Sequence, residues 1–153
     1  VRVMPNTPLM IGAGTTALCR GKFATEEHLQ FAKTFFASSG LAVTVAEEMM
    51  DAVTALSGAG PAYFFYLLEA MVQAGIDLGF DRADALKLAA NTALGAAKMV
   101  LGHQAEPEDL RRKVTSPGGT TEAAIGVLES QEVKKNFIQA IKAAAKRSQE
   151  LGR

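Results

Sequence analysis

Tryptophan is absent and cysteine occurs once, at Cys19, so no disulfide can form within the chain. No cluster of metal-ligand type surrounds that thiol, and a metal site is not expected. Such sparing cysteine use suits a reducing, cytoplasmic compartment. The two histidines, His28 and His103, lie far apart without acidic or thiol partners at ligand spacing, and read as surface helix residues. Charge of either sign is not in excess: Lys+Arg and Asp+Glu each total 16. A balanced chain lacks the net basic face that nucleic acid requires, and an anionic membrane surface is equally disfavoured. Long hydrophobic runs are missing too. An uncharged stretch from Ala52 to Leu68 is 17 residues and is broken by Gly58, Gly60 and Pro61. It reads as two buried helix ends meeting, not as a membrane helix of ~20 apolar residues.

Motif absences narrow the chemistry. No G-x-G-x-x-G follows a strand, so the chain has no dinucleotide fold of its own. A phosphate-binding Walker loop and a Gly-x-Ser-x-Gly elbow are also missing, and no triad can be built on His28 or His103. If the chain does chemistry, it must rely on positioning, backbone donors and hydroxyls rather than on a strong side-chain acid or base. It opens on Val1-Arg2-Val3-Met4, which reads as a strand entered mid-stream, so a piece of a longer protein is expected.

The 153 residues suffice for one buried core. Extended character near the start covers Val1 to Met4 and Thr15 to Cys19, around the turn Pro5-Asn6-Thr7-Pro8. Thr25 is placed to cap a helix whose first turn holds Glu26 and Glu27, where the helix dipole favours acids. Leu29, Ala32 and Phe35/Phe36 would face the core, Gly40 would end that helix, and Leu41 to Ala46 suits a short strand. From Glu47 the pattern is helical: a helix to about Leu56, a second from Ala62 to about Leu78, then one capped by Asp81. That third helix carries a small-residue stripe through Ala83, Leu86, Ala90, Ala93/Leu94, Ala97 and Val100/Leu101. A short helix from Pro107, another from Thr121 to Leu128 and a last one with Val133, Phe137, Ile141 and Ala144/Ala145 on one face complete the series. The helix from Ala62 is apolar nearly all round, with Tyr63 to Leu68 consecutive. It must be covered on all sides, and in so short a chain a second copy is the expected cover.

Three segments are candidates for function. Ser116-Pro117-Gly118-Gly119-Thr120-Thr121 opens a helix. Pro117 fixes one torsion, Gly118 and Gly119 allow others, and the N–H groups of Gly119, Thr120 and Thr121 have no intrahelical acceptor. That end of a helix suits a carboxylate or phosphate, with three hydroxyls as further donors, though a plain capped helix with flexible glycines fits equally. Leu56-Ser57-Gly58-Ala59-Gly60-Pro61-Ala62-Tyr63 could admit a flat ring to the backbone or form a tight helix–helix corner. Met4-Pro5-Asn6-Thr7-Pro8 could edge a site or simply turn the chain.

In this order and spacing these segments resemble pyrroline-5-carboxylate reductase, over Val3 to about Leu151. Asp109 through Thr121 and on to Leu128-Glu129 is similar to the family signature, and residues 51–63 and 4–8 support it. The resemblance implies a mainly α fold: a helical dimerisation and substrate domain over 23–153, preceded over 1–22 by the remnant of a Rossmann domain whose body is missing. It implies an NADPH- or NADH-dependent reduction of 1-pyrroline-5-carboxylate to L-proline by a homodimer or higher oligomer. The substrate carboxylate would sit on Ser116, Gly118, Gly119, Thr120 and Thr121, with the Thr121 hydroxyl catalytic at the ring nitrogen. Asn6, Thr7, Ser57 and Gly58 would lie near the nicotinamide, which the missing domain would mainly bind. Gln104 stands where some relatives carry an acidic residue, and receives no role. Two other readings remain: a non-catalytic helical dimerisation module, and the helical domain of a hydroxyacid-type dehydrogenase. The latter would need a catalytic Lys in a small-residue turn, and none is present.

Overall fold

In the computed structural model, which describes residues 1–103 and 105–152, the chain is mainly helical with a three-stranded sheet near its start. It divides into two compact units, one of residues 1–64 with those from Phe137 onward, the other Phe65–Asn136. Gln104 lies outside the described residues.

The first unit is organised by β1 (Arg2–Met4), β2 (Gly14–Cys19) and β3 (Gly40–Thr44) in spatial order β1-β2-β3. β1 runs antiparallel to β2, and β2 parallel to β3 with Ala17 opposite Val43. A parallel pair needs a crossover, and α1 (Glu26–Ala37) supplies it. β2 is covered on both faces: Thr16, Ala17, Leu18 and Cys19 are all buried, so their sequence shows no in–out alternation. At the start of α1, Thr25 Oγ1 accepts from the His28 N–H at 3.3 Å, and His28 Nδ1 accepts from the Thr25 N–H at 3.3 Å. His28 is thus an exposed capping residue. Leu29 is buried, whereas Phe35, expected on the inner face, is 65% exposed and lies edge-on to Phe36. Both phenylalanines are apolar, so periodicity alone could not choose between adjacent positions. The boundary expected after residue 22 falls between β2 and α1, inside this strand–helix–strand unit.

The helix expected over 47–56 changes character along its length. Glu47–Met49 is a 3-10 turn, α2 covers Met50–Val53, and Thr54–Gly58 is a π turn. α3 (Gly60–Asp77) follows. Within the same unit, the later part of α7 (Val133–Leu151) presents Ile141, Ala144 and Ala145 as half-buried positions. Phe137 meets the edge of Tyr63, and the Ser148 hydroxyl donates to Asp51 Oδ1 at 2.6 Å.

The second unit is built from the rest of α3, α4 (Arg82–His103), α5 (Pro107–Lys113) and α6 (Thr120–Ser130). Asp81 caps α4 by accepting the Asp84 N–H at 2.9 Å. Its core joins Val72, Ala85 and Ala89, with Leu68 and Ile76 against them. The packed stripe of α4 therefore runs through Ala85 and Ala89, while Leu86 and Leu94 of the expected stripe are 52% exposed. α4 is alanine-rich on several faces. Ala85 wins because it faces Gly75, where an added Cβ would come within 2.9 Å of the Ala85 methyl. Phe65, Tyr66, Leu67 and Met71 of α3 stay exposed in the single chain. No helix among the described residues is long and apolar enough to cross a membrane.

Candidate active site

The loop between α5 and α6 forms because its sequence specifies a tight turn. Ser116-Pro117-Gly118-Gly119 is closed by the Gly119 N–H donating to the Ser116 carbonyl at 3.0 Å. Proline at the second position and glycine with φ +72° at the third are the signature of a type II turn. Gly119, with φ −84° and ψ 166°, is then the N-cap of α6. A Cβ on Gly119 would fall 2.7 Å from Ser116 Oγ and 3.0 Å from the Ser116 carbonyl oxygen, so the serine is folded over the helix start. The Thr115 hydroxyl ties the loop back to α5 through the Arg111 carbonyl at 2.7 Å, and Arg111 meets Glu129 of α6 at 3.7 Å. The Thr115 contact fastens the start of the loop, and the ion pair links the two flanking helices.

The loop's donors are not all equally free. The Gly119 N–H, expected to face an anion, is taken by the turn. The first N–H satisfied by the helix pattern is that of Ala123, donating to the Gly119 carbonyl at 3.2 Å. Ahead of it stand the amides of Thr120, Thr121 and Glu122, at the positive end of α6. No side chain caps the Gly119 position. Ser116 and Thr120 are exposed and Thr121 is half-buried, so hydroxyls and amides share one solvent-accessible corner. That arrangement suits a small carboxylate.

Sequence reasoning missed one participant. Glu122 Oε2 accepts the Gly118 N–H at 2.8 Å, reaching back from the third residue of α6. The spacing from the cap to Glu122 is that of a capping box, a signal readable in the sequence.

In the first unit, Asn6, Ser57 and Gly58 come together. Asn6 Oδ1 accepts the Thr15 N–H at 2.9 Å, and its Nδ2 donates to the Ser57 carbonyl at 3.2 Å. Ser57 lies in the π turn, whose Ala59 N–H donates to the Thr54 carbonyl at 2.8 Å and whose Ala55 carbonyl accepts the Tyr63 hydroxyl at 2.9 Å. Its hydroxyl is buried and has no partner among the described residues. π turns are rare and concentrate at functional places. Gly58 accommodates Met4, whose Cε would stand 2.3 Å from an added Cβ. Thr7 opens the exposed edge of the 3-10 turn Thr7–Ile11, with Pro8 within its first turn.

A separate polar cluster joins the sheet to the 3-10 turn at Glu47. The Cys19 thiol donates to Glu47 Oε2 at 2.9 Å, and Arg2 pairs with the other carboxylate oxygen. Burial, reinforced by that carboxylate, pushes the Cys19 thiol up; the thiol's hydrogen bond, with Arg2 beside it, holds Glu47 below its usual range. This thiol is structural rather than nucleophilic. Among the described residues no group of three or more His, Cys, Asp or Glu could hold a metal ion.

Comparison with known proteins adds a family. Residues 47–151 match the sequence profile described as pyrroline-5-carboxylate reductase dimerisation. A pyrroline-5-carboxylate reductase of Synechocystis sp. is 45% identical over the whole chain, which spans 57% of that relative. The one from Methanosarcina acetivorans is 46% identical with the same coverage. Among solved structures, a pyrroline-5-carboxylate reductase from Coxiella burnetii is 42% identical with a TM-score of 0.91, over 98% of this chain and 56% of that one. The Plasmodium falciparum pyrroline carboxylate reductase, solved with NADP bound, is 32% identical with a TM-score of 0.94, over 99% of this chain and 62% of that one.

Proposed function

The chain belongs to the pyrroline-5-carboxylate reductase family, and on that premise we propose that it supplies the substrate loop and dimer surface of an enzyme reducing 1-pyrroline-5-carboxylate to L-proline. The observation that carries this reading is the Ser116–Thr121 corner, where unclaimed helix-start amides and three hydroxyls share one open face. The substrate is a cyclic imine bearing a carboxylate. The Thr120 and Thr121 amides and the Ser116 hydroxyl hold the carboxylate, and Gly118 shapes the turn without itself donating to the anion. The Thr121 hydroxyl faces the ring nitrogen.

Reduction adds one hydride to the imine carbon and one proton to nitrogen, breaking the C=N π bond. A protonated imine accepts hydride without further activation, so the absence of a strong acid or base from the loop is no obstacle. What the chain contributes is alignment and fixed dipoles.

A reduced nicotinamide, NADPH or NADH, supplies the hydride when bound. The unpartnered Ser57 hydroxyl fits its polar edge, with Asn6 fixing the position of Ser57 and with Thr7 and Gly58 alongside. Both polar atoms of Asn6 are already engaged, so it acts as a support for this edge. Most of the dinucleotide would be held outside these residues, because no G-x-G-x-x-G is present.

The helical dimerisation domain begins near Glu47 in this reading: the family match starts there, and residues up to Thr44 complete a strand–helix–strand unit of the Rossmann type. The exposed Phe65, Tyr66, Leu67 and Met71 are the surface that a second copy covers, giving a homodimer in the cytoplasm. Family membership displaces the hydroxyacid-type dehydrogenase. The non-catalytic module is separated by assay: this polypeptide alone shows no turnover with substrate and cofactor, and joined to the family's nucleotide-binding domain it does. Turnover by the chain alone would overturn the division of labour, and none in the joined protein would overturn the activity.

A further inference from the structure

Resting on that reading of the loop, we infer that Glu122 is a positioning residue that locks the Ser116–Gly119 turn and so holds the Ser116 hydroxyl over the start of α6. Glu122 is the third residue of α6, and its carboxylate reaches back to accept the Gly118 N–H at 2.8 Å. That N–H belongs to the one residue of the turn with a left-handed backbone, φ +72°. Glycine at this position has many alternative conformations, and a charge-assisted hydrogen bond to its amide selects one of them.

The selected conformation is the one that matters for binding. It closes Gly119 N–H onto the Ser116 carbonyl and leaves Ser116 Oγ where a Cβ on Gly119 would meet it at 2.7 Å. Pro117 restrains one torsion, and Thr115 anchors the preceding residue to Arg111. Nothing else among the described hydrogen bonds engages the Gly118 amide. Glu122 therefore secures the part of the loop that Pro117 and Thr115 leave free. Its action goes through Gly118 and does not require contact with substrate.

The test uses the complete reductase containing this chain, with three variants. Glu122→Ala removes the acceptor, Glu122→Gln keeps an acceptor oxygen without charge, and Ser116→Ala reports on the carboxylate site itself. Loss of one such hydrogen bond at an exposed turn is expected to raise KM for 1-pyrroline-5-carboxylate about fivefold, with kcat within about twofold. Glu122→Gln, with a neutral acceptor and so a weaker bond, brings KM most of the way back toward wild type. The Gly118 amide proton resonance moves upfield in Glu122→Ala and by a clearly smaller amount in Glu122→Gln. An unchanged KM in Glu122→Ala, or a Glu122→Gln variant as impaired as the alanine, overturns the lock. A Ser116→Ala variant with unaltered KM counts against the carboxylate site instead, and the Gly118 resonance then decides the lock by itself.

Discussion

Gly40 stands opposite Gly14 in the parallel pair of β3 and β2, so close that a Cβ on Gly40 would fall 2.1 Å from the Gly14 carbonyl oxygen. Its φ of +138° lies in a region that side chains rarely enter. Two independent penalties meet at one position, a backbone clash and an unfavourable torsion. Gly40→Ala is expected to destabilise the protein by about 3 kcal/mol or more. Urea denaturation measures this, and a loss below about 1 kcal/mol would show that the strands separate easily.

Thr121 is the loop's half-buried hydroxyl. In the complete reductase, Thr121→Ala should lower kcat more than it raises KM, at a barrier cost of about 2–4 kcal/mol, the usual worth of one preorganised donor. Steady-state kinetics decide it. Unchanged turnover removes Thr121 from the mechanism.

Asn6 spans the start of β2 and the π turn through Thr15 and Ser57. Asn6→Ala leaves the Thr15 N–H without its acceptor and is expected to cost about 1–3 kcal/mol of stability. Asn6→Asp keeps that acceptor but loses the donor to the Ser57 carbonyl, so it should also weaken cofactor affinity. Equal cofactor affinity in wild type and Asn6→Asp would detach Asn6 from the nicotinamide edge.

Exposed Phe65 and Leu67 belong to one apolar helix. Phe65→Glu together with Leu67→Glu should convert a dimer to a monomer in sedimentation, because two buried charges cost more than the contact returns. A wild-type chain that sediments as a monomer would refute the dimer surface outright.

Cys19 and Glu47 make stability depend on pH in opposite directions. The folded Glu47 titrates below its unfolded value, so its contribution is present above the unfolded value and fades as pH falls through the folded one. The folded Cys19 titrates above its unfolded value, so its contribution is full below the unfolded thiol value and fades as pH rises past it. Thiol labelling of Cys19 at mildly alkaline pH should accordingly be slow in the native protein and fast in denaturant. Equal rates would mean that the thiol is not enclosed.

The sequence by itself determined the helix starts at Thr25 and Asp81, the turn at Ser116 and the excess of apolar helix surface, because caps, turn residues and composition act locally. It also marked residues 116–121 as a candidate anion corner, though proline, two glycines and hydroxyls at a helix start fit a plain capped helix equally. Tertiary structure decided what depends on competition for partners. It set Asn6 to hold Ser57, fifty-one residues away, and Thr15. It selected Ala85 and Ala89 from an alanine-rich helix by setting Gly75 against it. Periodicity counts apolar positions but cannot rank them when several faces are alike. A hydrogen-bond donor's availability is likewise a property of its surroundings, which only the folded chain defines.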